Sequence, residues 1–327
     1  MTILVTGGAG YIGSHMVLQL RDQGETVVVL DNLSTGFRWA VPPDVELVIG
    51  DFGDRELVGE LLVKHKIRAI IHFAAKIVVP ESVANPLMYY ENNTANARQL
   101  LQAAVDHSVS HFIFSSTAAV YGEPKSSPVR EIDETSPINP YGRSKLMVEW
   151  MLQDVAHAHP LTYAALRYFN VAGADPKGRS GQSTPNATHL IKVAVQAALG
   201  MRDGMDVFGT DYPTPDGSCL RDYIQVSDLA AAHMSALSHL RAGGASLTCN
   251  VGYGHGYSVL EVIDTVKRVS GVDFKVRRVG RRAGDPAQIV ASNDRIRALG
   301  WTPRHDNLEQ TVRQALDWER GLEKRMA

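Results

Sequence analysis

Short apolar runs alternate with longer amphipathic stretches through the first half of the chain. Ile3-Leu4-Val5-Thr6, Thr26-Val27-Val28-Val29-Leu30, residues 45–49, residues 69–73 and His111-Phe112-Ile113-Phe114 are each four or five residues long and nearly continuous in apolar character. Runs of that length, rich in branched side chains, predict strands buried on both faces. Between them, stretches such as 55–65 and 87–106 carry helical spacing. Strand and helix in alternation predict an α/β fold, a doubly wound parallel sheet of Rossmann type covered on both sides. Beyond about Ala172 the pattern loosens into loops at Asp175-Pro176-Lys177-Gly178 and Gly181-Gln182-Ser183-Thr184-Pro185, before a helical run over 189–199. Two later helices carry start signals, Ser258 with Glu261 and Asn307 with Gln310, and between them lies a basic turn over 281–286. We expect residues 1–172 to form one domain and 173–327 mainly a smaller α/β domain, with a segment near 218–245 packing back on the first. No linker or repeat separates them, so a site between the two is expected.

The first strand runs directly into Gly7-Gly8-Ala9-Gly10-Tyr11-Ile12-Gly13 and then a helical pattern through Leu20. Strand, glycine turn and helix in this order form a cradle for a pyrophosphate: the glycines permit a tight turn and close approach, and the helix N-terminus favours anions. The second strand ends on Asp31, placed to meet an adenosine ribose and to repel a 2′-phosphate, which favours NAD over NADP. Asp51-Phe52 and Ala74-Ala75 close the third and fourth strands, where a cofactor wall would stand.

Tyr141 and Lys145 are four apart just after Pro140, which suits the first turn of a helix with both side chains on one face. A phenol ionises near ~10 in water, and a neighbouring ammonium would favour its anion, so the pair reads as a proton-handling unit. Ser115-Ser116-Thr117 follows the fifth strand and could bring a hydroxyl to the same place.

Composition narrows the partners. With 327 residues, 33 basic and 35 acidic side chains and a formal charge of -2, the chain has no basic footprint for nucleic acid. Cys219 and Cys249 belong to no C-x-x-C pair, so neither a disulfide framework nor a structural metal site is expected. No apolar run approaches the ~18 residues of a membrane span, and the first is too short for a signal peptide. The expected setting is cytoplasmic.

Taken together, Gly7-x-x-Gly10-x-x-Gly13, Asp31, His72-Phe73-Ala74-Ala75, Ser115-Ser116-Thr117, Tyr141-x-x-x-Lys145 and Arg167-Tyr168-Phe169-Asn170 resemble the extended short-chain dehydrogenase/reductase family. Phe208-Gly209-Thr210-Asp211-Tyr212-Pro213-Thr214-Pro215-Asp216-Gly217 followed by Arg221-Asp222-Tyr223-Ile224 resembles the UDP-glucose 4-epimerases within it. The resemblance spans nearly the whole chain. It implies an NAD-dependent isomerase that oxidises a UDP-hexose at C4 and returns the hydride to the opposite face. Tyr141, Lys145 and Thr117 would be catalytic. Gly7, Gly10, Tyr11, Ile12, Gly13, Asp31, Asn32, Asp51, Phe52, Phe73, Ala74, Ala75, Asn93, Ser115 and Tyr168 would line the cofactor with Tyr141 and Lys145. Asn170, His189, Leu190, Phe208, Arg221, Arg282 and Asp285 would join Thr117 in holding the UDP-sugar. The resemblance also implies a homodimer through helices near 96–104 and 145–155.

The chain departs from the family pattern at three places. Thr117 replaces a common serine, His189 a common asparagine, and Ile77 a lysine that would reach the nicotinamide ribose, with Lys76 one residue before it. A sugar-nucleotide dehydratase would need an Asp-Glu pair after Thr117, where Ala118-Ala119 stand. A non-catalytic NAD sensor would not need Tyr141 and Lys145. Whether the sugar is a hexose, an N-acetylhexosamine or a pentose stays open. Ile289 lies near the position that sets room for it.

Overall fold

The computed structural model describes residues 1–185, 187–282 and 284–326; Ala283, inside the basic turn, lies outside them. Seven strands form the main sheet: β1 (Thr2–Thr6), β2 (Thr26–Asp31), β3 (Glu46–Ile49), β4 (Ile67–His72), β5 (His111–Thr117), β6 (Thr162–Tyr168) and β7 (Leu247–Val251). Their spatial order is β7-β6-β5-β4-β1-β2-β3, and the pairings are parallel throughout. The order reverses between β1 and β4, which opens a crevice beyond their carboxyl ends.

Each face of the sheet has its own apolar layer. On one, Ile3, Val5, Val29, Ile71 and Ile113 pack with Met16, Val17 and Leu20 of the helix Tyr11–Asp22 and with Leu229, Ala236 and Leu237 of the helix Val226–Arg241. On the other, Leu4, Ile70, Phe112 and Phe114 meet the helices Arg55–Lys64, Asn96–Asp106 and Pro140–Ala158. Full burial on both faces explains why these strands read as continuous apolar runs. The segment 226–251 therefore belongs physically to the first sheet: its helix lies on Tyr11–Asp22, and its strand is the sheet's last.

A second core gathers the helices Leu190–Ala198, Val259–Ser270 and Leu308–Met326 around Ile191, Val195, Val262, Val266, Val312 and Leu316. Ser258 caps the middle helix through a reciprocal box with Glu261, and the Asn307 carboxamide accepts from Gln310 N at 2.8 Å.

Two differences from the apolar pattern matter for the site. β5 continues through Ser115, Ser116 and Thr117, because their backbone pairs in register with Leu166, Arg167 and Tyr168 of β6. The long helix expected over 87–106 is divided into Pro86–Tyr89, a wide π-type turn over Tyr90–Ala95, and Asn96–Asp106. Such wide turns recur at functional sites, and this one carries the buried Asn93.

Candidate active site

The glycine turn sits at the reversal point. Gly7 adopts φ +72°, and a Cβ there would lie 2.5 Å from Ala74 N, so only glycine lets β1 and β4 close together at their tips. Gly13 is under equal constraint: its Cβ would fall 2.1 Å from the Gly7 carbonyl. Gly10 caps the helix Tyr11–Asp22 without a side-chain bond, leaving first-turn N–H groups aimed beyond the strand tips. Asp31 ends β2 with its carboxylate fixed by Ala9 N at 2.9 Å and Leu33 N at 2.8 Å. Burial pushes its pKa up, and the two N–H bonds oppose that shift. Asn32 donates to Asp51 at 3.2 Å, which joins the tips of β2 and β3. Phe52 and Phe73 pack on His72 and His233, with ring centroids 4.8 and 4.9 Å apart. Asn93 uses its carboxamide on the backbone of Lys76, accepting from N and donating to O at 2.9 Å each, and reaches Ser144 Oγ at 3.1 Å. It fixes the segment after Ala75, so its service to a cofactor site is to shape the wall.

Asn139 and Pro140 set the start of the helix that carries Tyr141 and Lys145: the Asn139 carboxamide accepts from Gly142 N at 2.9 Å and Pro140 occupies the first turn. Tyr141 and Lys145 leave one face of this helix toward the end of β5. The Lys145 ammonium donates to the Ser115 carbonyl at 3.0 Å and lies 5.0 Å from the Phe114 ring. Burial brings it down to about 7. Burial also pushes the Tyr141 phenol up, countered by the Thr117 side chain beside it. The dry surroundings thus outweigh any mutual help within the pair: as they stand, both groups are held toward their neutral forms. Burial raises the Tyr168 pKa, the proximity of Tyr141 adds to the rise, and the Ser115 side chain beside it opposes it.

The surroundings fit a dinucleotide on independent grounds. A Cβ at Gly7 or Gly13 would collide with the backbone of the turn itself, so the glycines keep it tight, and the Ser115 hydroxyl, 1% exposed, forms no hydrogen bond of good geometry among the described residues although the Tyr168 side chain lies beside it. An orphaned buried hydroxyl beside Lys145 and Tyr141 is the feature a bound polar ring would satisfy.

Across the crevice, Arg221 and Asp285 approach at 3.7 Å, and Arg282 reaches Asp285 at 4.0 Å and lies over the Phe208 ring at 4.3 Å. Arg221 does not pair with its neighbour Asp222. That carboxyl faces inward, accepts from Tyr253 N, Gly254 N and Ala291 N at 2.9 to 3.2 Å, and is pushed by burial up to about 6. Asn170 lies in a short strand (Asn170–Ala172) beside Tyr223–Gln225, and Leu190 begins a helix. His189 precedes it at the surface with Nδ1 2.7 Å from Gln182 Nε2. Ile289 is 9% exposed and packs with Ala118, Tyr121 and Phe169 just behind Thr117.

Several contributors carry no motif. Tyr11 donates to the Gly173 carbonyl at 2.7 Å and Ser14 meets Ser180, tying the glycine-turn helix to the second lobe. Glu149, Arg167, Ser116, Tyr121 and Asn250 form a buried polar chain under β5. For Glu149 the available signal was its place at the next i+4 step after Tyr141 and Lys145.

A doubly wound parallel sheet with a glycine turn at its reversal point, and a Tyr-x-x-x-Lys helix start facing a hydroxyl at a strand tip, defines a dinucleotide-dependent enzyme of the extended short-chain dehydrogenase/reductase type. Residues 3–252 match the model of the NAD dependent epimerase/dehydratase family, and the chain belongs to that family. It is 58% identical over 323 residues to the UDP-glucose 4-epimerase of Azospirillum brasilense, covering 98% of this chain and 93% of that one. The crystal structure of UDP-glucose 4-epimerase from Brucella ovis in complex with NAD is 44% identical, superposes with a TM-score of 0.94 and covers 97% of each chain. The UDP-Glc/GlcNAc 4-epimerase of Campylobacter jejuni is 48% identical with a TM-score of 0.86, covering 98% of this chain and 99% of that one.

Proposed function

We propose that this chain is an NAD-dependent UDP-glucose 4-epimerase, an isomerase interconverting UDP-glucose and UDP-galactose. The observation that carries the reading is the meeting of Thr117, Tyr141 and Lys145 beside the orphaned Ser115 hydroxyl, at the mouth of a glycine cradle. Bound NAD supplies a reversible acceptor for the C4 hydride, so that oxidation to a 4-keto sugar and reduction from the other face invert that carbon.

The chain's own residues handle protons and grip. Tyr141 takes the proton from the sugar 4-hydroxyl and gives it back, Thr117 holds the 4-oxygen, and Lys145 lies beneath them, anchored on the Ser115 carbonyl. The Tyr141 phenol is held up by burial, so it becomes an effective base only when cationic charge joins it in the closed site. Oxidation is thereby tied to an assembled complex. Arg221 and Arg282 hold the diphosphate and nucleotide by forked, charge-assisted bonds, with Asp285 orienting them and Phe208, Asn170, His189 and Leu190 completing the pocket. Grip far from C4 leaves the sugar free to turn its other face.

Residues 1–172 serve as the cofactor domain and 173–327 mainly as the substrate domain. A homodimer is supported by Val83, Leu87 and Trp150, which are 63%, 77% and 52% exposed on adjoining helices that include Pro140–Ala158. Cys219 and Cys249 are both buried and free, in keeping with a cytoplasmic setting. No described helix is long and apolar enough to cross a membrane.

The test is proton NMR of purified protein with UDP-galactose and no added cofactor. Appearance of UDP-glucose to equilibrium supports the proposal. Stoichiometric accumulation of NADH, or of a 4-keto-6-deoxy sugar, would refute it. Parallel runs with UDP-GlcNAc and a UDP-pentose measure how far the pocket beside Ile289 accepts other sugars, since a methylene-scale difference is worth only ~1–3 kcal/mol.

A further inference from the structure

Glu149 and Arg167 are charged, yet the first is fully buried and the second 5% exposed. Glu149 lies eight residues after Tyr141 and four after Lys145, on the same strip of the helix Pro140–Ala158. Its carboxylate accepts from Arg167 Nε at 2.9 Å and Nη2 at 2.5 Å, and from the Ser116 hydroxyl. Ser116 is the β5 residue between Ser115, whose carbonyl holds Lys145, and Thr117. Arg167 is its register partner on β6, one residue before Tyr168. The chain of bonds continues from Arg167 Nη1 to the Tyr121 hydroxyl at 2.9 Å, from Tyr121 to Asn250 Oδ1 at 2.7 Å, and from Asn250 Nδ2 to the Val129 carbonyl at 2.8 Å.

A buried ion pair contributes little net stability compared with apolar side chains of the same volume, because desolvation offsets the attraction. A forked pair fixed at both ends does, however, define direction and register. Here it joins the helix bearing Tyr141 and Lys145 to the two strands bearing Ser115, Thr117 and Tyr168. We propose that the Ser116–Glu149–Arg167 cluster is a positioning device that sets the height and rotation of the catalytic helix, holding the Tyr141 hydroxyl against Thr117 and the Lys145 ammonium under Ser115. None of the three touches the crevice. They act through the residues that do.

The inference rests on the proposed role of Tyr141, and its test is kept separable from the choice of sugar. Ser116→Ala removes only the link from Glu149 to β5 and leaves the ion pair in place. Glu149→Met/Arg167→Met replaces the pair with apolar side chains and avoids a lone buried charge. Each variant, in the NAD-bound protein, is titrated by tyrosinate absorbance as a difference against the same protein carrying Tyr141→Phe. Turnover of UDP-galactose and NAD content per chain are measured alongside. Tyr141 is bordered by Thr117, Tyr168 and Tyr89, with Lys145 one turn further along the helix, and none of these is altered.

The expected result is a rise of about one pH unit in the Tyr141 titration in both variants. With it, kcat falls about tenfold in Ser116→Ala and roughly a hundredfold in the double variant, while KM and NAD content stay within twofold of wild type, because a displacement of about 1 Å costs rate at that scale. A Tyr141 titration that does not move in Ser116→Ala overturns the proposal and leaves the cluster as packing alone. A wild type with the tyrosine titration as described but no turnover of UDP-galactose sinks the substrate assignment and not this one.

Discussion

Lys145 offers a thermodynamic test that needs no substrate. Its ammonium is almost fully buried, with one backbone acceptor and an aromatic face for company, and its pKa falls from the ordinary 10.5 to about 7. Between those two values the unfolded chain binds a proton at this position and the folded protein does not. Stability should therefore rise with pH through that window, by up to ~1.4 kcal/mol per unit, and level off above the unfolded value. Integrated from about pH 7.5 to 9.5, this single group contributes about 2.5 kcal/mol. Other groups titrate in the same range, so the quantity to read is a difference. Lys145→Met fills similar volume, loses one hydrogen bond to Ser115 worth about 1 kcal/mol at every pH, and removes the proton-linked part altogether. Urea unfolding of NAD-free protein, followed by the fluorescence of its four tryptophans, gives ΔG at each pH. The variant should be comparable to or more stable than wild type at pH 7.5 and lose ground steadily toward pH 9.5. If the two proteins keep a constant separation across that range, Lys145 is not desolvated as described.

The remaining predictions concern the site directly. Tyr141→Phe should lower turnover of UDP-galactose by about 10²- to 10⁴-fold, with urea midpoint and NAD content unchanged; wild-type NMR rates in this variant would exclude Tyr141 as the base. Gly13→Ala puts a Cβ 2.1 Å from the Gly7 carbonyl. It should cost on the order of 1–3 kcal/mol and empty the cradle, read as NAD released per chain after acid precipitation. Arg221→Met should weaken UDP binding by roughly tenfold to a hundredfold in calorimetry while leaving kcat nearly intact, since it removes grip and not chemistry. Unchanged UDP affinity would place the diphosphate elsewhere.

The parts of this molecule that could be read from the chain are those in which local geometry and chemistry coincide. Gly7 and Gly13 occupy positions where a Cβ has no room, and that necessity is visible as a spaced triplet. Tyr141 and Lys145 are one helical turn apart behind an Asn-Pro start, so a single periodicity aligns them. β6 and β7 went unread for a physical reason. Thr162–Tyr168 holds two alanines and an arginine, and Leu247–Val251 is a brief Leu-Thr-Cys-Asn-Val, so neither carries a strong apolar run. Their strand character comes from neighbours: β6 pairs with β5 on one side and β7 on the other. The break in the helix near Tyr90 was equally hidden, because helical spacing survives a one-residue widening of a turn.

Buried charges were the least readable of all. Glu149 and Arg167 look like surface residues one at a time, as do Lys192 and Glu319, whose pair is likewise buried in the second lobe. Each is tolerated inside only because a partner far away in sequence neutralises it, and such a contact leaves no local trace. The two pairs differ in what they border. Lys192 also donates to the Gln182 carbonyl at 2.7 Å, and Gln182 in turn contacts His189 at the proposed substrate side. Glu149–Arg167 lies under the proposed cofactor side, joined to β5 through Ser116. Each of these two ion pairs thus lies behind residues assigned to the proposed site. Apolar packing can hold a helix against a sheet while allowing it to slide by fractions of an ångström, whereas forked charge-assisted bonds fix direction. Proton transfer at C4 demands a fixed distance between phenol and sugar oxygen, while the sugar itself must turn between two faces. A rigid catalytic helix beside a mobile substrate ring meets both demands, and the buried polar cluster beneath Tyr141 is where this chain supplies the rigidity.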